Sequence, residues 1–304
     1  MNAITNFLMG PDRILRPAWR ALLYFVLTFI ALPFLLDPTA ETLVNRLHLA
    51  PALTPASIAF GEGEYLVIAL IATGLFAWYE ARRIDSYFMP IDQALSARTF
   101  EGVLAGVMIA GGVAIGMIAL GGMQIHGLAL TGSALGASAL AWLLAMLLVG
   151  VTEEFWFRAY FLETLWKAVG FWPASIVIAL VFAGIHYFFK QGENIWDVIT
   201  LVWFSMLICF SVLKTGNLWF AVGLHIAFDF MQFFVIGTPN GNLIPQGRML
   251  DVTFHGPAWL TGGVLGTEAS FLMYPMLALV TLYVWWRDRD TPPFQPEDKR
   301  ANAR

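Results

Sequence analysis

The chain has 304 residues, 59% of them hydrophobic and 12% charged, and a mean hydropathy of +0.70. Soluble domains carry about 25% charged residues, so these proportions exclude a water-soluble protein and point to a polytopic membrane protein. The net charge of −4 comes with no basic patch, so no nucleic-acid partner is expected; the single cysteine, Cys209, can form neither an internal disulfide nor a cysteine-based metal site.

Apolar stretches long enough to cross a bilayer, about 17–25 residues each, fall near 18–36, 58–79, 101–120, 135–157, 172–189, 197–213, 217–236 and 268–286. The expectation is an all-α bundle of about eight spans, a single membrane domain over 1–290. The first stretch follows Arg13, Arg16 and Arg20 and is read as a retained anchor, since a cleavage signal after Leu36 is weak. With the N-terminus inside, 14 Lys and Arg fall on the inner side against 3 outside, or 8 against 3 without Arg158 and the five from Arg287 onward. The positive-inside rule then puts both termini in the cytoplasm. Trp19, Trp78, Tyr79, Trp172, Trp219, Trp285 and Trp286 lie near span ends, where interfacial aromatics belong.

The third span carries Gly102, Gly106, Gly111, Gly112 and Gly116, which suits close helix packing rather than chemistry. Glu62, Glu64, Glu101, Asp197 and Glu268 sit at expected helix starts, where the backbone dipole favours a carboxylate. Residues 237–267 form the longest connection, a Gly-, Pro- and Asn-rich loop able to fold back over the bundle. The charged, proline-rich segment after Arg287 reads as solvated, with a disordered cytoplasmic tail at 291–304.

One stretch breaks the apolar pattern. From Leu135 to Thr152 there is no charged residue; then Glu153, Glu154 and Arg158 arrive at hydrocarbon depth among Phe, Trp and Tyr. Each buried charge costs about 2.5–3.5 kcal/mol even on lenient insertion scales, so the three must face protein or water. Glu154 and Arg158 are four residues apart, on one helix face, and can pair. Glu153 lies about 100° round the helix, leaving one neutralised carboxylate and one for another task. The competing reading is an ion network that only packs helices together.

His48, His126 and His255 fall in expected loops, whereas His186 and His225 lie inside spans. Glu153 and His186 are equidistant from a turn at Gly170-Phe-Trp-Pro173, so a hairpin there brings them to one level, each about 24 Å from the turn. His225 lies nine residues past a second turn at Gly216, and Asp229 shares its helix face at i+4. Three helices can thus converge Glu153, Glu154, His186, His225 and Asp229. Two hydrolytic chemistries use such a set. In one, Glu153, His186, His225 and Asp229 hold Zn²⁺, which lowers the pKa of bound water to ~7; in the other, Glu153 activates water without a metal. Proton-coupled transport also uses carboxylates and histidines at depth, but no internal repeat or matched pair of broken spans accompanies them.

Glu153-Glu154-x-x-x-Arg158, Phe182-x-x-x-His186 and His225-x-x-x-Asp229 resemble the motifs of the CPBP family, the CAAX prenyl proteases and bacteriocin-processing (Abi) enzymes. The resemblance covers about 140–240. It implies an intramembrane endopeptidase acting on a membrane protein or peptide in the lipid bilayer, expected in a bacterial inner (plasma) membrane. Glu153 would activate water with His186, Glu154 would pair with Arg158, and His225 with Asp229 would stabilise the tetrahedral intermediate. Prenyl-protease members often carry Asn where this chain has Asp229, which leaves Zn²⁺ and metal-free mechanisms both open. Some relatives act in bacteriocin immunity or as adaptors, so a non-catalytic membrane scaffold is the other reading. Substrate and oligomeric state are not specified by the sequence.

Overall fold

The computed structural model describes residues 3–47, 49 and 52–296; His48 and tail residues 297–304 lie outside them. Among the described residues, eight helices are long and apolar enough to cross a membrane: α1 (Pro17–Arg46), α2 (Pro55–Glu80), α3 (Ala97–Ala119), α4 (Gly132–Val169), α5 (Phe171–Phe189), α6 (Ile195–Thr215), α7 (Trp219–Ile236) and α8 (Gly263–Arg287). The expected all-α bundle of eight spans is the one formed, and the chain is an integral membrane protein.

The two turns that set the site fall at the expected glycines. Gly170 (φ 88) separates α4 from α5, and Gly216 (φ 62) ends α6, both in backbone conformations that L-residues avoid. At 38 residues, α4 is about 57 Å long, nearly twice the ~30 Å hydrocarbon core. It therefore reaches beyond the hydrocarbon.

Small residues draw three helices into backbone contact. A Cβ on Gly106 would lie 2.3 Å from the Leu224 carbonyl oxygen, and one on Gly223 would lie 2.1 Å from that of Thr99, so α3 and α7 touch along their backbones. A Cβ on Gly150 would meet Ile226 at 2.6 Å, which locks α4 against the same helix. The third-span glycines thus serve packing, as expected, and α7 is the most enclosed of the eight helices, 83% of its window being buried.

Several local expectations are overturned. The connections read as plain loops contain β1 (Met123–Leu128) and β2 (Leu250–Phe254), an antiparallel pair aligning Met123 with Phe254 and Ile125 with Val252. His126 belongs to β1 and His255 directly follows β2, and the two flank the Thr253 hydroxyl at 2.9 and 3.0 Å. Loop 237–267 does fold back: the Trp142 indole donates to the Gln246 carbonyl at 3.0 Å, and Gln246 N–H donates to the Leu53 carbonyl at 2.9 Å. Trp219 is buried, its indole donating to the Pro90 carbonyl at 2.7 Å, so it is no interfacial anchor. The segment after Arg287 is not wholly solvated either. Phe294 lies over Gly216 and packs edge-on against Phe88 at 5.8 Å, because one aromatic side chain in a polar segment finds an apolar seat.

Gly106→Ala is expected to force α3 and α7 apart and lower stability by about 1–3 kcal/mol or more, read as a lower Tm in detergent. Gly136→Ala, where the added Cβ meets nothing within 4 Å, is expected to leave Tm unchanged or slightly raised.

Candidate active site

The organising stretch sits at a change of helical winding. Glu153 and Glu154 close the regular part of α4, and Phe155–Ala159 then forms a π-helical turn. A second π-helical segment, Phe230–Ile236, follows Asp229 in α7. Such turns re-aim the residues beside them and recur at functional sites.

Arg158 is fully buried and satisfied on several sides. Its Nη1 donates to Glu154 Oε1 at 3.0 Å, Nη2 donates to Ser205 Oγ at 2.9 Å, and the guanidinium lies 4.5 Å over the Phe182 ring. The same Glu154 oxygen receives a hydrogen bond from His225 Nδ1 at 2.8 Å. Glu154 thus joins the Arg158 cation to the His225 ring and, at 0% exposure, reaches no cavity. The sequence pattern brought out its pairing with Arg158 but not its hold on His225.

Glu153 is the carboxylate left over. Its Oε2 has no hydrogen-bond partner among the described residues and stands 3.7 Å from His225 Nε2. Asp229 Oδ2 stands 3.6 Å from the same nitrogen, on the expected i+4 face. His186 holds its Nδ1 against the Phe182 carbonyl at 2.9 Å, which leaves Nε2 for other work. Glu153, His186, His225 and Asp229 line one cavity of about 660 Å³, so four of the five candidate residues share a single space with Glu154 behind them. A second cavity of about 540 Å³, bounded by Phe29 and Pro33 of α1 and Trp156 of α4, also ends on Glu153 and His186. The carboxylate is thereby approached from two sides.

Glu62 was misread from sequence. It is not at a helix start: α2 begins at Pro55, capped by Thr54, whose side chain accepts from the Ser57 N–H while Ser57 Oγ accepts from the Thr54 N–H. Glu62 is two turns inside the span, lines both cavities beside Glu153, and carries a buried Oε2 without a hydrogen-bond partner. The Thr-Pro-Ala-Ser capping pattern at 54–57 was the available signal, because it fixes the helix start and makes Glu62 an intramembrane acid. Glu64 likewise lies inside α2, and Glu268 belongs to the tight segment Gly263–Ala269 and pairs with Lys190. Asp197 does sit at the third position of its helix, and Glu101 one turn into α3, paired with Arg98 and Arg287.

The donor set around the cavity, two imidazoles with Nε2 turned from the backbone and two carboxylates, fits the chemistry zinc selects. Its atoms are spread around the cavity. The group of three or more His, Cys, Asp and Glu donors lying within 4.8 Å of one another among the described residues is instead Glu193, Asp197 and Glu268.

Residues 135–231 match the family model described as Rce1-like, type II CAAX prenyl endopeptidase. The matched segment runs from the first turn of α4 to two residues beyond Asp229. It therefore contains Glu153, Glu154, Arg158, His186, His225 and Asp229, while Glu62 lies outside it. No curated protein matches the chain. The match spans about a third of the chain, and together with the helical membrane bundle it supports a CPBP/CAAX-type intramembrane protease family.

Proposed function

We propose that the chain is an endopeptidase that hydrolyses a CAAX-like peptide bond of a membrane-associated protein or peptide, in a bacterial plasma membrane with its termini cytoplasmic. The observation that carries this reading is the single cavity onto which Glu153, His186, His225 and Asp229 open while Glu154 and Arg158 stay sealed behind it.

Glu153 accepts a proton from water, and the resulting hydroxide attacks the substrate carbonyl carbon. His186, its Nδ1 fixed on the Phe182 carbonyl, presents Nε2 to the same water. The tetrahedral oxyanion faces His225, whose ring angle is set by Glu154; an imidazolium there donates Nε2–H to it. Asp229 orients that ring from the Nε2 side. Collapse of the intermediate breaks the C–N bond, and the leaving amine takes a proton from the acid side of the cavity, where Glu62 stands as a second carboxyl beside Glu153. A zinc ion, if bound, would be held by Glu153, His186, His225 and Asp229 and would supply an acidic water and a Lewis acid. In that version a neutral His225 turns a lone pair, not a proton, toward the cavity.

Four outcomes test this reading. In cleavage of a reconstituted peptide library followed by mass spectrometry, Glu153→Gln is expected to slow product formation by about 10²–10⁴ with Tm retained. Identical, product-free traces from two equally folded proteins would favour a scaffold or immunity-type partner, and substrate-dependent flux in liposomes would favour a transporter. Glu62→Gln is expected to lower kcat by about 10² with little change in KM; an unchanged kcat would remove Glu62 from the proton path. Arg158→Met is expected to cost about 3–5 kcal/mol of stability, because it strands the Glu154 charge, and this is measured by thermal unfolding. Stoichiometric zinc in the purified protein, lost in His225→Ala, would select the metal-dependent version, and full activity in zinc-free protein the glutamate version.

A further inference from the structure

At the end of the bundle opposite the termini, the turn from α5 to α6 runs Lys190-Gln191-Gly192-Glu193-Asn194. Asn194 caps α6, its side-chain oxygen accepting from the N–H groups of Trp196 at 3.0 Å and Asp197 at 3.3 Å. With the cap supplied by Asn194, the Asp197 side chain has no capping task. It is nevertheless 0% exposed, and apart from the neighbouring Glu193 carboxyl no hydrogen-bond donor reaches either of its oxygens among the described residues.

The Asp197 carboxylate meets two others. Glu193, from the turn, and Glu268, from the tight Gly263–Ala269 start of α8, each bring an oxygen within 4.8 Å of the other two. The Glu193 side chain is 1% exposed, and apart from Lys190 and Asp197 no partner reaches its oxygens among the described residues. Lys190 supplies one positive charge: its Nζ stands 3.4 Å from Glu193 Oε1 and contacts Glu268. Asp197 makes no ion pair among the described residues. Three carboxyl groups face one ammonium in a nearly closed space, where a bound cation would displace the proton that Asp197 and Glu193 share.

We propose that Glu193, Asp197 and Glu268 form a binding site for a hard divalent cation of the calcium type. Carboxylate oxygens with no imidazole or thiolate among them select hard cations over zinc. Oxygens within 4.8 Å of one another also suit ligands held at about 2.3–2.6 Å from Ca²⁺, which stand at most about 4.6–5.2 Å apart across the ion. The bound cation ties the start of α6 to the start of α8. Lys190 and Glu268 also line the mouth of the larger cavity, so the tie fixes the rim of the space that holds Glu153.

The test uses the full chain in zwitterionic detergent, stripped by a chelator, with Ca²⁺ titrated against Tm and Tb³⁺ binding followed by luminescence excited through tryptophan. The expected result is a saturable rise in Tm and in Tb³⁺ emission for wild type. Both should be weakened about tenfold or more in Asp197→Asn and in Glu268→Gln, which act from two separate segments. Without cation, Asp197→Asn should melt at or above the wild-type temperature, because the amide removes like-charge repulsion. A lost response then cannot be ascribed to a failed fold. His225→Ala should keep the full response, which separates this site from any zinc bound in the cavity. The proposal is overturned if Ca²⁺ and Tb³⁺ act on wild type and Asp197→Asn alike, the carboxylates then being held by Lys190 and shared protons.

Discussion

A single carboxylate oxygen ties this protein together. Glu154 Oε1 accepts from the Arg158 guanidinium on its own helix and from the His225 ring on α7, in a place closed to water. Charges at that depth are tolerable only when paired, and Ser205 from α6 and the Phe182 ring from α5 add a hydrogen bond and a ring face to the guanidinium. Four helices are therefore held in register by one interaction. The same interaction fixes which nitrogen of His225 faces the cavity. Support and chemistry are divided between adjacent residues: Glu154 turns inward to hold, and Glu153 turns to the open space.

Close packing lets that arrangement exist. Helix α7 must come near enough to α4 for a 2.8 Å hydrogen bond between His225 and Glu154, and Gly150 removes the side chain that would prevent it. The Gly170 end of α4 is braced separately. There Arg20 and the Tyr160 hydroxyl meet Glu80, and Arg82 and Lys167 both reach Glu163, at 2.5 and 2.9 Å. The later turns of α4 are thus held by charge, while the stretch around Gly150 is held by shape.

The parts legible in the sequence were those with a large energetic contrast. Glu153, Glu154 and Arg158 interrupt an uncharged stretch, His186 and His225 interrupt apolar spans, and Gly170 and Gly216 are the natural turns between them; distance along a helix then sets their common level. What escaped had weaker or nonlocal signals. Glu62 was assigned by its nearness to an assumed helix start, an error of three residues that turned an intramembrane acid into a capping one. Trp219 carries the same aromatic signal whether it faces headgroups or a backbone carbonyl inside the bundle. The β1–β2 pair joins segments more than 120 residues apart, each too short for its alternation to stand out. His225 bonding to Glu154 rather than to Asp229 alone is a matter of ring orientation, which spacing along one helix does not determine.

The enclosure of α7 has a consequence for how the surroundings act on the site. His225 and Asp229 ride on a helix shielded from lipid, whereas Glu62, Glu153 and His186 ride on helices whose windows are only 22–39% buried. Bilayer thickness and lateral pressure work on helices that touch acyl chains, tilting them to match the hydrocarbon depth. A change of membrane is thus felt as a displacement of one half of the site against the other. Acyl-chain length would then act on the distance between the Glu153 carboxylate and the His225 ring, with no change in either residue.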